Sequence, residues 1–175
     1  MQFLSTSGVG LEQQLIAMIE HATHSLIICT PYYIPSKRLH HAVLDASQRG
    51  VNVSLILPEK ADHPLVKHGA TPFLTEALRA GVLVHHYYRG FYHVKAIIAD
   101  QTDCLIGTPN FDRRSLHLND ETSCISNDPS FIDQVLSAVY YDRSTSINVT
   151  LEKLEQRPFL DKIKERVAAP FAGLL

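Results

Sequence analysis

The sequence is 175 residues long, the size of one ordinary folded domain. Hydrophobic residues make up 45% and charged residues 19%, which suits a buried core and excludes a highly charged, disordered chain. Sixteen Lys and Arg side chains against eighteen Asp and Glu give a net charge of −2. No overall basic surface is therefore available to attract nucleic acid or anionic lipid, and any anion site must be local.

The three cysteines indicate free thiols rather than a disulfide framework. Cys29, Cys104 and Cys124 are odd in number, widely spaced and each set in an apolar stretch. No apolar run approaches the roughly 18 residues of a spanning helix, and the start of the chain lacks the features of a signal peptide. We therefore expect a soluble chain in a reducing compartment, which could be one piece of a longer membrane protein.

Helices and strands alternate along the first half of the chain. Stretches with apolar residues at helical spacing are each followed by a short apolar run, and Pro or Gly separates the units. The pattern predicts helices at 11–22, 39–48 and 73–79 and strands at 25–30, 51–57 and 82–88. This succession favours an α/β fold with helices packed on the faces of a partly parallel sheet.

The second half is predicted to form strands and then helices. The pattern predicts strands at 91–99, 104–107 and 121–126 and helices at 130–141, 151–154 and 159–167. The polar tetrad 100–103 between the first two strands is typical of a β-hairpin. Because no linker interrupts the chain, we expect a single domain over residues 1–175.

A spaced set of polar residues lies on this predicted hairpin. His93 and Lys95 are separated by one residue, Asp100 follows after four more, and six residues later comes the turn Gly107-Thr108-Pro109-Asn110. Alternation along a strand at 91–99 sends His93 and Lys95 to the same face, roughly 6–7 Å apart. An imidazole, an ammonium, a hydroxyl and a carboxamide together suit phosphate oxygens.

The chemistry that this set indicates is phosphoryl transfer without a metal. His93 supplies a nucleophile or acid–base group, and the remaining donors neutralise phosphate charge. A lone His-x-Lys would more often belong to an ordinary exposed strand, but here six positions are fixed over 18 residues. No metal-ligand spacing is present, so we expect neither a metal nor another cofactor.

With this motif the sequence resembles the phospholipase D superfamily, whose members carry HxKxxxxDxxxxxxG(S/T)xN. It is most similar to the C-terminal half of bacterial cardiolipin synthases. Further matching segments lie at 30–35, 49–51, 62–64, 90–91, 110–115 and 118–121. Thr108 in place of the usual Ser, Pro109 in place of a small residue and a neutral first helix depart from the family pattern. The resemblance implies an α/β/α sandwich, with a mixed, largely parallel sheet flanked by helices.

The resemblance also implies a two-step transfer. His93 would attack the phosphodiester phosphorus to give a phosphohistidine, a second histidine would protonate the departing alcohol, and an acceptor would then attack. Lys95, Thr108 and Asn110 would hold the non-bridging oxygens. Glu121 resembles the family acid that hydrogen-bonds an active-site histidine.

The remaining motif member is Asp100. It belongs to the catalytic motif by resemblance, but it lies an odd number of residues from His93 and Lys95 and starts the turn. We interpret it as a structural charge or turn cap.

Four further residues are predicted to contact substrate. Tyr32 and Tyr33 follow a strand at its carboxyl end, where they could line a lipid or glycerol pocket or simply pack. Arg113 and Arg114 could reach phosphates at the mouth of the site or pair with Asp112 and Asp120.

The mechanism needs two His-x-Lys units and the chain has one. The second would come from another half of the same polypeptide or from a second copy in a homodimer. The resemblance implies a cardiolipin synthase-type phosphatidyltransferase acting on a phosphatidylglycerol-like phospholipid at the cytoplasmic side of a membrane, with no nucleic acid partner. The alternatives are a homodimeric phosphodiesterase or nuclease, and a non-catalytic module that binds phosphate head groups.

Overall fold

A mixed eight-stranded sheet forms the centre of the chain in a computed structural model that describes residues 2–7, 10–62 and 64–156. The strands are β1 (Gln2–Ser7), β2 (Ser25–Cys29), β3 (Tyr33–Ile34), β4 (Asn52–Pro58), β5 (Leu83–Tyr87), β6 (Ala96–Ala99), β7 (Asp103–Gly107), β8 (Phe111–Asp112), β9 (Asp120–Ser126) and β10 (Ser146–Val149). The helices are α1 (Gly10–His21), α2 (Lys37–Gln48), α3 (Pro64–Arg79), α4 (Arg113–His117), α5 (Pro129–Ser144) and α6 (Leu151–Glu155).

The order of strands in the main sheet is β1-β9-β7-β6-β2-β4-β5-β10. Parallel pairing joins β2, β4 and β5, whose connections run through helices. The pairs on the β6, β7, β9 and β1 side are antiparallel, as is the pair of β5 with β10. Strands β3 and β8 form a separate small parallel pair. The predicted mixed sheet flanked by helices is therefore confirmed, although most of the described strand pairs in the main sheet are antiparallel rather than parallel.

Two hydrophobic clusters cover the two faces of this sheet. Leu26 and Ile28 of β2 face the cluster formed with α1, α2 and α3, whereas Ile27 and Cys29 face the cluster formed with α5. The alternation follows from the two-residue repeat of a strand, which sends successive side chains to opposite faces. Because both faces are covered, the sequences of the central strands are continuous apolar runs.

Local capping residues set the helix ends. The Ser36 hydroxyl accepts a hydrogen bond from the Leu39 amide at the start of α2, and the Asp128 carboxylate accepts one from Phe131 at the start of α5. After α2 the chain turns at Gly50, whose φ of 93° is readily adopted by glycine.

Most predicted elements are confirmed. Predicted helices 11–22, 39–48, 130–141 and 151–154 correspond to α1, α2, α5 and α6, and predicted strands 25–30, 51–57, 82–88, 104–107 and 121–126 correspond to β2, β4, β5, β7 and β9. The predicted helix at 159–167 lies outside the described residues.

Helix α3 is longer than predicted, since it begins well before residue 73. Pro72 lies inside this helix, where proline removes an amide donor. Burial outweighs that penalty, since Val66, Ala70 and Leu74 form a stripe of buried residues along one side of the helix.

The predicted strand at 91–99 is wrong for its first half. Only Ala96–Ala99 forms β6, and residues 91–95 have no regular secondary structure. The sequence pattern also missed β1 and β10 at the two edges of the sheet, the two-residue strands β3 and β8, and the five-residue helix α4. The two-residue strands and the five-residue helix carry too few residues for a periodic pattern, and the edge strands β1 and β10 lack a continuous apolar run.

The Asp100 carboxylate ties the β6–β7 turn to the start of β2. Its oxygens accept hydrogen bonds from the amides of Thr23 at 2.8 Å, His24 at 2.7 Å and Ser25 at 2.8 Å, and from the Thr23 hydroxyl at 2.9 Å. Burial alone would raise the pKa of Asp100, but these hydrogen bonds together hold it well below its usual range. The contacts match the interpretation of Asp100 as a structural charge.

We expect Asp100→Asn to lower the free energy of unfolding at pH 7 by roughly 2 kcal/mol, because an amide cannot accept all these bonds. The native pKa is depressed, so the carboxylate stabilises the fold above its unfolded pKa of about 4 and loses this effect as pH falls below it. Urea unfolding at pH 7 and pH 3 should show the two proteins converging in acid. Asp103→Asn, at the start of β7, is the control, and equal losses from both substitutions would contradict the assignment.

Candidate functional site

A cavity of about 770 Å³ lies beside α5, next to the motif ends of β6, β7 and β9. His93, Lys95 and Thr108 all contribute to its lining. The sequence predicted that these three would share a site, and the structure brings them to one cavity.

His93 and Lys95 reach this cavity from a loop rather than from a strand. The Lys95 ammonium donates to the His93 carbonyl oxygen over 3.1 Å, so the two residues are held close without strand alternation. The exposed His93 ring stacks on Phe91 with centroids 5.4 Å apart. An exposed imidazole at the mouth of a cavity is accessible to a substrate.

Tyr92 anchors this loop, although the sequence analysis did not single it out. Its ring is only 3% exposed and packs against Tyr87, with centroids 5.1 Å apart. Burial, together with the neighbouring Cys29 thiol and Asp142 carboxyl, raises the pKa of Tyr92 above its usual range. A buried tyrosine directly before His93 fixes the loop while leaving the imidazole outside.

The Lys95 ammonium is partly buried and faces two carboxylates. Burial lowers the pKa of Lys95, while the negative charges of Glu121 and Asp112 oppose that effect. A cation in this setting is available to pair with an anion in the cavity.

Thr108 is held by the neighbouring strand β9. Its hydroxyl donates to the buried Glu121 carboxylate and accepts a bond from the Thr122 amide at 3.0 Å, while its own amide donates to the Thr122 carbonyl at 3.0 Å. Glu121 also accepts a bond from the Asn119 side chain at 3.3 Å. The described contacts of Glu121 are thus with Thr108 and Asn119, whereas the resemblance implied a histidine partner.

Gly107 permits this close approach of β7 to β9. A Cβ atom at this position would lie against the Thr122 carbonyl oxygen and 2.9 Å from the Ser123 Cα, so any side chain would push the two strands apart. The glycine of the motif therefore has a steric role.

We expect Thr108→Val to lower the free energy of unfolding by about 1–3 kcal/mol, because it leaves the buried Glu121 carboxylate without its donor. Thr108→Ser keeps the hydroxyl and should stay within about 0.5 kcal/mol of wild type. Denaturant unfolding measures both changes. Thr122→Val is the matched control, since Thr122 contacts Thr108 through its backbone; an equal effect of the two valine substitutions would rule out the hydroxyl–carboxylate contact as the cause.

The turn after Thr108 leaves one buried acceptor open. Among the described residues, Asn110 Oδ1 is buried without a hydrogen-bond partner. The same side chain bonds to Asp112, whose carboxylate caps α4 by accepting from the Ser115 amide at 2.7 Å. Burial raises the pKa of Asp112, and its hydrogen bonds with Ser115 and Asn110 limit that rise. An unpartnered buried acceptor suits a donor supplied by a ligand.

Asn110 and Glu121 do not belong to the cavity lining, although Glu121 contacts Thr108, and Asp100 and Tyr33 do not belong to it either. Asp100 is at the opposite end of β6 from Lys95, where it binds the start of β2. Tyr33 has no exposed surface, stacks on Phe111 with centroids 5.6 Å apart and contacts His40 over 3.2 Å. Of the two alternatives for Tyr33, its burial matches packing in the core rather than direct contact with substrate.

The other three predicted contact residues lie nearer the surface. The Tyr32 hydroxyl donates to Asp62 over 2.6 Å, and burial and this carboxylate raise the pKa of Tyr32 to about 12. Arg113 and Arg114 are exposed at the start of α4, directly after the residue that caps it. None of the three belongs to the cavity lining.

Neither a metal cluster nor a spanning helix is found in the described part of the chain. Among residues 2–7, 10–62 and 64–156, no group of three or more His, Cys, Asp or Glu side chains is placed to hold a metal ion. Over the same ranges no helix has the length and apolar character needed to cross a bilayer.

Sequence comparison matches residues 15–142 to the family described as cardiolipin synthase, PLD-like domain. The minor cardiolipin synthase of Bacillus subtilis (strain 168) is 44% identical over 161 residues, which are 92% of this chain and 40% of that protein. Cardiolipin synthase A of Proteus mirabilis (strain HI4320) is 39% identical over 166 residues, which are 94% of this chain and 34% of that protein. The chain thus spans two fifths or less of the length of these relatives.

Solved structures agree with the fold. Phosphatidylserine synthase of Haemophilus influenzae Rd KW20 matches with a TM-score of 0.77 at 18% identity, over 99% of this chain and 45% of that one. Nuc, a phospholipase D family member from Salmonella typhimurium, matches with a TM-score of 0.73 at 17% identity, over 85% of this chain and 99% of that one. These likenesses confirm the predicted fold class.

Proposed function

This chain belongs to the cardiolipin synthase family of phospholipase D-like domains, and from that premise we propose that it forms one half of a phosphatidyltransferase active site. The convergence of His93, Lys95 and Thr108 on one cavity is the observation that carries the proposal. The substrate is a phosphatidylglycerol-like phospholipid, and the acceptor is the glycerol hydroxyl of a second phospholipid. Such substrates require a membrane surface, and we propose the cytoplasmic one.

The first step transfers the phosphatidyl group to His93. An imidazole nitrogen attacks the phosphorus, a phosphorus–nitrogen bond forms, and the bond from phosphorus to the departing glycerol oxygen breaks. A second histidine gives its proton to that oxygen, so free glycerol leaves. The exposed position of the His93 ring at the cavity supports its role as the attacking group.

The second step releases the product. The glycerol hydroxyl of another phospholipid attacks the same phosphorus while the second histidine takes its proton. The phosphorus–nitrogen bond then breaks, and its electron pair returns to the His93 imidazole. The sequence of steps leaves the enzyme unchanged.

The neighbouring side chains stabilise the charge that develops on phosphorus. The Lys95 ammonium pairs with a non-bridging oxygen, whereas the open Oδ1 of Asn110 is an acceptor and receives a hydrogen bond from a donor such as a glycerol hydroxyl. Thr108 supports this arrangement through Glu121, which faces Lys95 electrostatically. Thr108 is therefore also a positioning residue, because its hydroxyl holds the Glu121 carboxylate.

The second histidine comes from a second His-x-Lys unit. One such unit is present in the sequence, and the related cardiolipin synthases are more than twice as long as the matched region. The second unit is either another half of one polypeptide or a second copy of this chain. We use the term assembled enzyme for this chain together with that second unit.

The test compares the chain alone with the assembled enzyme on phosphatidylglycerol. The assembled enzyme should produce cardiolipin and one glycerol per turnover, whereas the chain at concentrations where it sediments as a monomer should show little or no turnover. Full turnover by a strict monomer would contradict the need for a second unit. Phosphatidic acid as the only lipid product would instead favour a phosphodiesterase.

A further inference from the structure

The cavity continues from the motif residues into an apolar groove between the sheet and α5. Its floor is a row of three residues that lie directly opposite one another on β6, β7 and β9, namely Ala96, Ile106 and Cys124. Its wall is one side of α5, formed by Phe131, Val135 and Ala138. We call these six residues the acyl groove.

The groove is open because several of its positions carry small side chains. Ala96 and Ala138 have only a methyl group, and Gly107 beside the floor can carry no side chain at all. In the described part of the chain, α5 is the helix that packs on this face, whereas α1, α2 and α3 cover the other. The β7 and β9 side of the sheet therefore remains partly uncovered.

Several polar groups of the cavity lie toward the motif, while two more lie on α5 beside its apolar wall. Lys95 and Ser123 directly precede the floor residues Ala96 and Cys124 in the sequence. The Lys95 carbonyl accepts a hydrogen bond from the Gly107 amide at 3.2 Å, and Ser123 is paired with Gly107. His93 and Thr108 lie beyond them. On α5 the lining also includes Gln134, and Asp142, which faces the Tyr92 hydroxyl. A ligand that fits both ends must carry an anion at one end and hydrocarbon at the other.

We propose that the acyl groove binds one hydrocarbon chain of the phospholipid whose phosphodiester lies at His93 and Lys95. The inference rests on the proposed function, because it assumes that the phosphate is bound at the motif. The cavity of about 770 Å³ lies within the usual range for small-molecule sites, which are concave and mainly apolar with a few polar groups. The cationic end and the apolar end together match an amphiphile.

The test separates the head group from the chains. Glycerophosphoglycerol carries the phosphodiester without acyl chains, and dihexanoylphosphatidylglycerol, used below its micelle concentration, carries both. NMR titration of this chain should show binding at least tenfold tighter for the acylated ligand, because each buried methylene adds to the hydrophobic contribution.

Two substitutions on the same helix supply the matched comparison. Ala138→Trp fills the groove from an exposed position and should reduce the advantage of the acylated ligand to less than threefold, while leaving glycerophosphoglycerol binding unchanged. Ser137→Trp adds the same side chain on the neighbouring exposed position outside the lining and should keep the advantage. Val135→Asp, which puts a carboxylate in the groove, provides a second test if Ala138→Trp unfolds the domain.

The outcomes distinguish the groove from the phosphate site. If glycerophosphoglycerol binds and Lys95→Ala weakens it, but acylation adds nothing, the groove proposal is overturned and the phosphate site stands. If Lys95→Ala leaves the affinity for glycerophosphoglycerol unchanged, the proposed phosphate site, and with it the proposed function, is contradicted. Equal effects of Ala138→Trp and Ser137→Trp would also overturn the groove proposal. They would favour the interpretation that another protein surface covers this face.

Discussion

His93→Gln is expected to reduce phosphatidyl transfer by the assembled enzyme by roughly 10⁴-fold or more, because the nucleophile of the first step is removed. The exposed ring makes few packing contacts, so the melting temperature should stay within about 2 °C of wild type. Cardiolipin formation from phosphatidylglycerol, followed by mass spectrometry, measures the change.

The control for this substitution is His41→Gln, an exposed histidine on α2. It should leave turnover unchanged. If the His93 variant retained activity within threefold of wild type, His93 would not be the nucleophile.

Lys95→Met is expected to reduce kcat/KM by about 10²–10³, since it removes a preorganised positive charge from the developing phosphoryl oxygens. Because burial lowers the pKa of Lys95, wild-type activity should also decline on the alkaline side at a lower pH than an ordinary lysine would give. The pH profile of kcat/KM measures this directly.

Lys95→Arg separates charge from geometry. Its guanidinium stays protonated, so the alkaline decline should move to higher pH or disappear even if the rate is reduced. An unchanged alkaline limb in the arginine variant would show that another group titrates there.

The core of the fold could be predicted because its signals are local. The apolar runs of β2 and β4 and the amphipathic patterns of α1, α2 and α5 each repeat over enough residues to identify the element. The motif could also be recognised in the sequence, since its spacing places Gly107 and Thr108 at the end of a predicted hairpin.

The loop that carries His93 could not be predicted from the same signals. The aromatic and β-branched residues at 91–95 match a strand, but among these five only Tyr92 is buried, whereas Phe91 and Val94 are exposed. An irregular loop with one anchoring side chain gives the same local pattern as a strand. The distinction depends on which neighbours receive Tyr92, and those neighbours are distant in sequence.

The contact of Thr108 with Glu121 depends on strand pairing. Gly107 lies opposite Ser123, and this register brings Thr108 beside the start of β9. The sequence singled out both residues, but their pairing required the register. Likewise, the apolar face of α5 was visible in the sequence, whereas its position beside the motif was not.

The covalent intermediate on His93 is the central claim, and a quench experiment tests it most directly. The assembled enzyme is mixed with dihexanoylphosphatidylglycerol, stopped within milliseconds at alkaline pH, digested and analysed by mass spectrometry. We predict a phosphatidyl adduct on the peptide that contains His93, absent from the His93→Gln variant and lost on acid treatment. An adduct on another residue, or turnover with no adduct at any quench time, would contradict the proposal.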